Sequence, residues 1–238
     1  MARVMISVTN VATYPTGGGH WWVYANWALG LRRAGCDVYW LEQVSALADI
    51  TPEMMKVHET RLARIGLEGR ALLVQHDPDA DRLRSIPAMS DVALDQYLGQ
   101  IDLLLNFNYM LPASVLERFR KTALVDIDPG LLQFWVGNRQ VELAPHDIYF
   151  STGETVGLPD ARFPDCGVEW KRTRPVVDTE TWQPALSPYA QRYTTVSGWY
   201  GHHWLTDGQG TMLDNNKRAT FIEYSTLAQE LPVTLELA

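Results

Sequence analysis

The feature that most constrains the fold is the order of elements predicted at the N-terminus. Residues 3–9 (RVMISVT) form an apolar run typical of a buried strand, and a glycine-rich turn, YPTGGGH, follows at residues 14–20. An apolar helix is predicted from about Trp22 to Ala34, and a second strand, DVYWL, at residues 37–41. Strand, turn, helix and strand make a βαβ unit, the usual beginning of a nucleotide-binding or sugar-transferring α/β domain.

Strands and helices continue to alternate along the chain. Further apolar strands are predicted at residues 71–75, 101–107, 122–127, 147–151 and 193–196, and further helices at residues 51–65, 90–100, 112–119 and 216–227. Strands that are apolar throughout indicate a parallel sheet covered on both faces. The predicted fold class is therefore α/β and Rossmann-like, with a mostly parallel sheet and helices on both faces.

Two segments do not fit this alternation. Residues 76–89 are polar and contain Asp77-Pro78-Asp79, which favours a loop. Residues 158–188 hold five of the 13 prolines, too many for regular helices or central strands, although Val176 and Val177 could form a short strand there.

Composition excludes several classes of partner. The formal net charge of -8 argues against nucleic acid or an anionic membrane as the main partner. No apolar run reaches about 18 residues, so no transmembrane segment is predicted.

The beginning of the chain and its cysteines bear on the compartment. Met1-Ala2-Arg3 leads directly into a strand without a signal peptide. Cys36 and Cys166 match no CxxC or zinc spacing. A reduced, cytoplasmic protein is the simplest interpretation.

The glycine-rich turn is the first candidate binding element. Gly17, Gly18 and Gly19 allow backbone N–H groups to approach a donor phosphate or an acceptor hydroxyl, and the following helix offers its positive N-terminal end to an anion. The alternative is a flexible turn whose glycines serve only to adopt positive φ. No GxGxxG motif is present, and Glu42 is the nearest candidate for a ribose-binding acid, so the case for NAD binding is weak.

Four polar segments follow predicted strands, at residues 16–20, 106–109, 126–128 and 152–154. Ligands of parallel α/β sheets bind outside the carboxyl ends of the strands, so we expect these segments to meet in one crevice. The predicted substrate-binding residues are Thr16, Gly17, Gly18, Gly19, Asn108, Thr152, Gly153 and, from a later loop, Arg174. Arg174 is a candidate clamp for a phosphate or carboxylate, with an ordinary surface arginine as the alternative.

Several stretches carry a resemblance to a known family. They are Val125-Asp126-Ile127-Asp128-Pro129-Gly130 with Gln133 and Trp135, His146-Asp147, Thr152-Gly153-Glu154 with Gly157, Cys166-Gly167-Val168 with Trp170, Thr173-Arg174-Pro175, and Tyr193-Thr194-Thr195-Val196 with Trp199 and Gly201. With the glycine-rich turn, they make the chain resemble the N-terminal half of a GT-B glycosyltransferase, and more narrowly a group of bacterial glycosyltransferase-like proteins.

This resemblance implies two Rossmann-like domains that face each other across a cleft. Residues 1–230 would be the N-terminal, acceptor-side domain, and residues 231–238 would begin a C-terminal domain that is missing here and binds the nucleotide-sugar donor. The implied partners are a nucleotide-sugar, an unknown acceptor and that missing domain. No cofactor is implied beyond the nucleotide-sugar as co-substrate, and no metal ion. The N-terminal domain alone is expected to bind poorly and to transfer nothing.

The resemblance also suggests catalytic residues. His20 stands where several inverting GT-B enzymes place a general base, and an imidazole suits this role near neutral pH. Asp126 or Asp128 could supply the carboxylate that orients it. Glu154 could bind acceptor hydroxyls or act as the base itself. The alternatives are that His20 caps the helix, that Asp128-Pro129-Gly130 is a plain turn, and that Glu154 is a solvated loop carboxylate.

Two other functional classes remain open at the level of the sequence. One is a nucleotide- or NAD-binding Rossmann enzyme that uses the glycine-rich turn, and the other is a non-catalytic domain that binds a sugar or a protein. His202-His203 resembles a metal-binding pair, but adjacent side chains on an extended segment point to opposite faces and no third ligand is evident. No metal site is predicted.

Overall fold

The computed structural model of the protein describes residues 1–80, 82–186, 192–199, 205–206, 210–213, 216–230 and 232–237. Its strands are β1 (Arg3–Val8), β2 (Asp37–Gln43), β3 (Ala71–Asp77), β4 (Arg82–Ile86), β5 (Leu103–Asn106), β6 (Thr122–Asp126), β7 (Ile148–Ser151), β8 (Trp170–Arg172), β9 (Arg192–Thr195), β10 (Leu205–Thr206), β11 (Met212–Leu213) and β12 (Thr234–Leu237). Its α-helices are α1 (Gly18–Arg33), α2 (Pro52–Arg64), α3 (Asp91–Gly99), α4 (Ala113–Leu116), α5 (Leu131–Gly137), α6 (Lys217–Glu223) and α7 (Leu227–Glu230).

An eight-stranded sheet forms the centre of the molecule, in the order β4-β3-β2-β1-β5-β6-β7-β8. All neighbouring strands in it are parallel except β3 and β4, which pair antiparallel. The strand order reverses at β1, which has β2 on one side and β5 on the other. This arrangement is a Rossmann-like α/β fold, so the predicted fold class is confirmed.

Helices cover both faces of the sheet. On one face α1 and α2 pack onto alternate residues of β1 and β2, through side chains such as Tyr24 and Leu62. On the other face α3 and α4 pack onto the intervening residues, through Leu94, Leu98 and Val115. The strands are therefore buried on both sides, which explains their continuous apolar character.

The prediction of a loop at residues 76–89 is wrong, because strand β4 lies there. Arg82 and Arg84 are exposed while the alternating residues Leu83 and Ser85 are buried, which is the period-2 pattern of a strand with one exposed face. The Asp-Pro-Asp segment forms only the beginning of the turn that joins β3 to β4. Two arginines on a five-residue edge strand also discourage pairing with another chain.

Helix α1 begins earlier than the predicted Trp22. Gly18, Gly19 and His20 form its first turn, so the glycine-rich segment is partly helical. None of Gly17, Gly18 and Gly19 has a positive φ, so the interpretation that this turn needs positive φ is wrong. The constraint at Gly17 is space, because a Cβ atom there would lie 2.2 Å from Cδ1 of the Tyr14 ring.

Residues 176–182 form a strap across the outer side of α1, not the short strand predicted at Val176 and Val177. A Cβ atom on Gly30 of α1 would lie 2.7 Å from Cγ1 of Val176, so the strap lies directly on the helix. The buried Asp178 carboxylate forms an ion pair with Arg33, and its backbone N–H donates to Asn26 Oδ1 at 2.9 Å. Trp182 packs edge-on against Trp22 at 4.9 Å between ring centroids.

The C-terminal strands form two small two-stranded sheets, separate from the central one. Strand β12 pairs in parallel with β9, and α6 and α7 lie between the two strands in sequence, where one helix over residues 216–227 was predicted. Strands β10 and β11 pair antiparallel. Among the residues that the structure describes, no helix combines the length and the apolar character needed to cross a membrane.

Candidate functional site

The candidate site lies at the carboxyl edge of the sheet, around the point where the strand order reverses at β1. His20, in the first turn of α1, packs edge-on against Tyr24 one turn later, at 6.4 Å between ring centroids. Asp128 follows β6, and Tyr109 follows β5. Three connections, β1–α1, β5–α4 and β6–α5, therefore bring an imidazole, two phenols and a carboxylate to one edge of the sheet.

Asp128 is the common electrostatic neighbour of these groups. Although Asp128 is exposed, the surrounding protein displaces part of its hydration and raises the pKa of its carboxyl, while the nearby His20 lowers it. Burial and the charge of Asp128 raise the pKa of Tyr24. Burial, Asp128 and Asp126 raise the pKa of Tyr109 to about 12. Both phenols therefore keep their protons at neutral pH and can donate hydrogen bonds.

Asp126 is buried and holds the backbone of the turn that carries Asp128. It is 2% exposed, its Oδ1 accepts the backbone N–H of Asp128 at 2.9 Å, and its Oδ2 accepts from Gln133 Nε2 at 2.8 Å and from the Ser151 hydroxyl at 2.7 Å. Burial raises the pKa of this carboxyl, and the three donors oppose the shift. Of the two predicted orienting carboxylates, Asp128 is the one beside His20, while Asp126 fixes the backbone that carries Asp128.

Thr152 and Gly153 connect the end of β7 to the Asp128 turn. The Thr152 N–H donates to the Asp126 carbonyl at 3.0 Å, and the Gly153 N–H donates to the Ser151 hydroxyl at 3.1 Å. A Cβ atom on Gly153 would lie 2.5 Å from Cβ of Pro129, so only glycine allows this approach. These two predicted substrate-binding residues join the turn next to Asp128 through their backbone.

Asn108 forms hydrogen bonds within the connection that follows β5. It is 7% exposed, its N–H donates to Asn106 Oδ1 at 2.9 Å, and its own Oδ1 accepts the N–H of Met110 at 3.1 Å. Asn106 in turn has its Nδ2 3.0 Å from His146 Nε2. These bonds shape the connection after β5 and thereby place Tyr109.

Two predicted site residues lie apart from the cluster. Glu154 is exposed and forms an ion pair with Arg172 of β8. Arg174 is exposed and has no hydrogen bond or ion pair with any residue that the structure describes. No described contact links either side chain to His20 or Asp128. The structure thus brings together His20, Asp126 and Asp128, with Thr152 and Gly153 beside them, and it does not bring Glu154 or Arg174 to them.

The segment before α1 is held by Arg61 of α2. Its Nη2 donates to the Pro15 carbonyl at 2.6 Å and lies 3.3 Å from the Gly17 carbonyl, and its guanidinium stands 5.7 Å from the Trp21 ring centroid. Thr16 lies in this anchored turn and is exposed.

The first turn of α1 is open. Gly18 and Gly19 have open space where a side chain would stand, and no side chain caps the helix. The first N–H groups of this 16-residue helix, next to His20, therefore receive no capping hydrogen bond from a side chain.

The Glu42 carboxylate already accepts backbone hydrogen bonds, so it is not available to bind a ribose. It lies at the end of β2 with no exposed surface, and its Oε1 accepts the N–H groups of Val11 at 2.8 Å and Ala12 at 3.0 Å. Its Oε2 also lies 3.0 Å from the Ala12 nitrogen. Burial raises the pKa of this carboxyl to about 7, against the effect of the two N–H donors. Glu42 fastens the connection after β1 to the sheet.

Sequence reasoning did not select Tyr24 or Tyr109. The signal for Tyr24 was its spacing, since a residue four positions after His20 on a helix lies on the same face. Tyr109 lay inside a segment that was singled out, but Asn108 beside it was chosen. An amide after a strand suggests a ligand, yet a short Asn side chain also satisfies its own backbone readily, as this one does.

No group of three or more His, Cys, Asp or Glu side chains suited to a metal ion occurs among the described residues. His202 and His203 lie outside them, as do Gly201 and Ala238.

Comparisons with known proteins give little further information. No protein-family model matches the chain, and no curated protein matches it. A crystal structure of an isoflavone reductase is similar over 99% of this chain and 78% of that chain, with 12% sequence identity and a TM-score of 0.33. A similarity of this size carries no argument about function.

Proposed function

We propose that this chain is the acceptor-side part of a two-domain glycosyltransferase of the GT-B type, which transfers a sugar from a nucleotide-sugar to a hydroxyl acceptor. The observation that carries the proposal is the nearness of His20 to Asp128 at the carboxyl edge of the sheet, beside the open first turn of α1. An imidazole close to a carboxylate can act as a general base, because the carboxylate orients the ring and stabilises its protonated form.

In the proposed reaction His20 is the general base, and Asp128 stabilises the protonated form of His20. His20 takes the proton of the acceptor hydroxyl while the oxygen of that hydroxyl attacks the anomeric carbon. The bond from that carbon to the diphosphate oxygen breaks, and the nucleotide diphosphate leaves with the electron pair. Asp128 stabilises the imidazolium that forms. The phenols of Tyr24 and Tyr109 stay protonated beside it.

The small C-terminal sheet supports the two-domain part of the proposal. Strands β9 and β12 are parallel, yet Tyr193 is 67% exposed and Leu235 40% exposed. Parallel sheets are normally covered on both faces, and two strands alone are marginal. We therefore assign β9, α6, α7 and β12 to the beginning of a second α/β domain. The start of that domain would then lie before residue 231.

The dinucleotide-binding alternative is less well supported. Such sites use an acidic residue at the end of the second strand to bind the ribose hydroxyls. Glu42 occupies that position, but its carboxylate already accepts hydrogen bonds from Val11 and Ala12. A non-catalytic sugar-binding domain would not need an imidazole beside a carboxylate.

The test is a transfer assay on the natural gene product that contains this chain. The protein is incubated with a panel of UDP-, GDP- and dTDP-sugars and mixed hydroxyl acceptors, and release of the nucleotide diphosphate is measured. His20→Ala should lower the transfer rate by about 10²–10⁴-fold, the usual contribution of a general base. Asp128→Asn should lower it less, because the base remains.

Glu154→Gln is the matched control. It changes an exposed carboxylate that pairs with Arg172 and has no described contact with His20. The transfer rate should stay within about twofold of the wild type, as expected for an exposed ion pair. Full activity in both His20→Ala and Asp128→Asn would contradict the proposal, and so would loss of activity in Glu154→Gln alone.

A further inference from the structure

A cavity lies away from the carboxyl-edge site, between α2 and strands β3 and β4. Its volume is about 620 Å³, which is within the range of small-molecule sites. Its lining includes Met55, His58, Glu59, Leu62, Glu68, Leu73 and Ile86. Apolar side chains form most of this wall, and Leu62 and Leu73 are buried.

His58 is the unusual member of the lining. It is 2% exposed, and neither Nδ1 nor Nε2 has a hydrogen-bond partner among the residues that the structure describes. Its ring packs edge-on against Trp40 at 6.3 Å between centroids. Burial, with a smaller contribution from Arg61, lowers the pKa of His58 to about 4. The imidazole is therefore neutral at pH 7 and keeps one nitrogen lone pair as a hydrogen-bond acceptor.

The charged residues that line the cavity, Glu59 and Glu68, are both acidic. Glu59 and Glu68 are exposed, and neither forms an ion pair with a described residue. The described lining contains no lysine or arginine. The two carboxylates and the unprotonated nitrogen of the neutral imidazole can each accept a hydrogen bond, so they favour a positively charged donor, while Leu62, Leu73 and Ile86 favour an apolar body.

We propose that the cavity between α2 and the β3–β4 pair binds a small organic cation, an amine with an apolar body. The apolar part lies against Leu73 and Ile86, and the ammonium group lies toward His58, Glu59 and Glu68. The neutral imidazole, which has no hydrogen-bond partner among the described residues, accepts one ammonium hydrogen at its unprotonated nitrogen. This site is independent of the proposed sugar transfer, since none of its lining residues belongs to the His20–Asp128 cluster.

Three probes of the same shape test the proposal. They are 2-naphthylmethylamine, the uncharged 2-naphthylmethanol and the anionic 2-naphthoate. Each is titrated into the full chain labelled with ¹³C at the methionine methyl groups, and the signal of Met55, which lines the cavity, is identified with Met55→Leu. We expect the amine to shift the Met55 signal, the alcohol to bind about fivefold more weakly, and the carboxylate to bind weakest.

Variants then separate the parts of the site. Glu59→Gln and Glu68→Gln are exposed changes that leave the fold intact, and each should weaken amine binding by about threefold to fivefold. His58→Phe should weaken it by about twofold to tenfold, the size of one hydrogen bond. Glu53→Gln, in the first turn of the same helix but outside the lining, should leave the affinity unchanged.

Several results would overturn the proposal. They are a Met55 signal that no probe shifts, binding of 2-naphthoate as tight as that of the amine, and unchanged amine affinity in both Glu59→Gln and Glu68→Gln. If the glutamate variants weaken binding but a folded His58→Phe protein binds the amine as the wild type does, the assigned role of the imidazole is wrong.

Discussion

The Ser151 hydroxyl at the end of β7 donates a hydrogen bond of 2.7 Å to the buried Oδ2 of Asp126 at the end of β6. This bond ties two strand ends together at the edge where the candidate site lies. The same carboxylate accepts from Gln133 of α5 and from the backbone N–H of Asp128. One buried side chain thereby fixes two strands, a helix and the turn that presents Asp128.

We expect Asp126→Asn to destabilise the protein by about 1–3 kcal/mol, because an amide replaces one acceptor oxygen with a donor in a buried network. Urea unfolding measures the effect. Ser151→Ala is the comparison variant: it removes one of the three donors to Asp126 and also the acceptor of the Gly153 N–H, but it places no donor against the buried network, so its cost should be smaller. Equal unfolding midpoints for Asp126→Asn and the wild type would show that the network contributes nothing to stability.

Gly153, which lies next to this network, gives a second prediction about stability. A Cβ atom on Gly153 would lie 2.5 Å from Pro129 Cβ and 2.6 Å from Val156 Cγ2, and neither neighbour is the end of a long flexible side chain. Gly153→Ala should therefore destabilise the protein by about 1–3 kcal/mol through overpacking, measured as a lower unfolding midpoint.

The control for this prediction is Gly18→Ala. Gly18 lies in the first turn of α1 with open space around it and φ outside the left-handed region, so alanine should be neutral or stabilise the protein by up to about 1 kcal/mol. A loss of stability in Gly18→Ala equal to that in Gly153→Ala would mean that the crowding at Pro129 is not the cause.

Buried Glu42 gives a prediction about pH. Its pKa is raised from 4.5 to about 7 in the folded protein, so between these values the folded state holds the proton more tightly than the unfolded state. Stability contributed by this proton is complete below about pH 4.5 and is lost as the pH rises through about 7. The difference corresponds to at most about 3 kcal/mol.

Glu42→Gln isolates this effect. A glutamine Oε1 can still accept the N–H groups of Val11 and Ala12, as the Glu42 Oε1 does. The free energy of unfolding, measured in urea from pH 4.5 to 8, should fall more steeply with pH in the wild type than in Glu42→Gln. Parallel curves would show that Glu42 ionises in the folded state as it does in the unfolded chain.

The sequence predicted the fold class because its main signals are local. Apolar strands such as residues 122–127 and capped helices such as α2, where the Thr51 hydroxyl accepts the N–H of Met54, identify their elements without long-range information. Strand β4 was missed because the Asp-Pro-Asp turn signal outweighed a five-residue alternation. Its existence depends on pairing with β3, which no local pattern specifies.

The candidate site was predicted only in part, for a similar reason. The rule that ligands gather at carboxyl strand ends selected His20 and Asp128, which the fold brings together. The rule does not reveal what each polar side chain does there. Asp126 Oδ1 and Asn108 Oδ1 accept backbone N–H groups two residues further along the chain, whereas Asp126 Oδ2 accepts from Gln133 and Ser151. Glu154 pairs with Arg172. The side-chain partners depend on tertiary contacts, which the local sequence does not specify.

The strap over α1 leads to the last prediction. Its attachment depends on Asp178, whose buried carboxylate accepts from Arg33, from the Thr181 hydroxyl at 2.6 Å and from the Thr181 N–H at 3.0 Å. These donors, Arg33 first, lower the pKa of Asp178 to about 2, so the attachment is unaffected by pH above about 4. Arg33→Ala leaves a buried carboxylate without its cation and should release residues 176–182 from the helix.

Limited proteolysis under native conditions measures this release. Cleavage within residues 174–186 should be clearly faster in Arg33→Ala than in the wild type, because a segment must leave the surface before a protease can bind it. Arg174→Ala is the matched control, since it removes an exposed arginine from the same connection without a described partner, and its cleavage rate should equal that of the wild type. Equal protection of the strap in Arg33→Ala would mean that Val176 on Gly30 and Trp182 on Trp22 hold it without the ion pair.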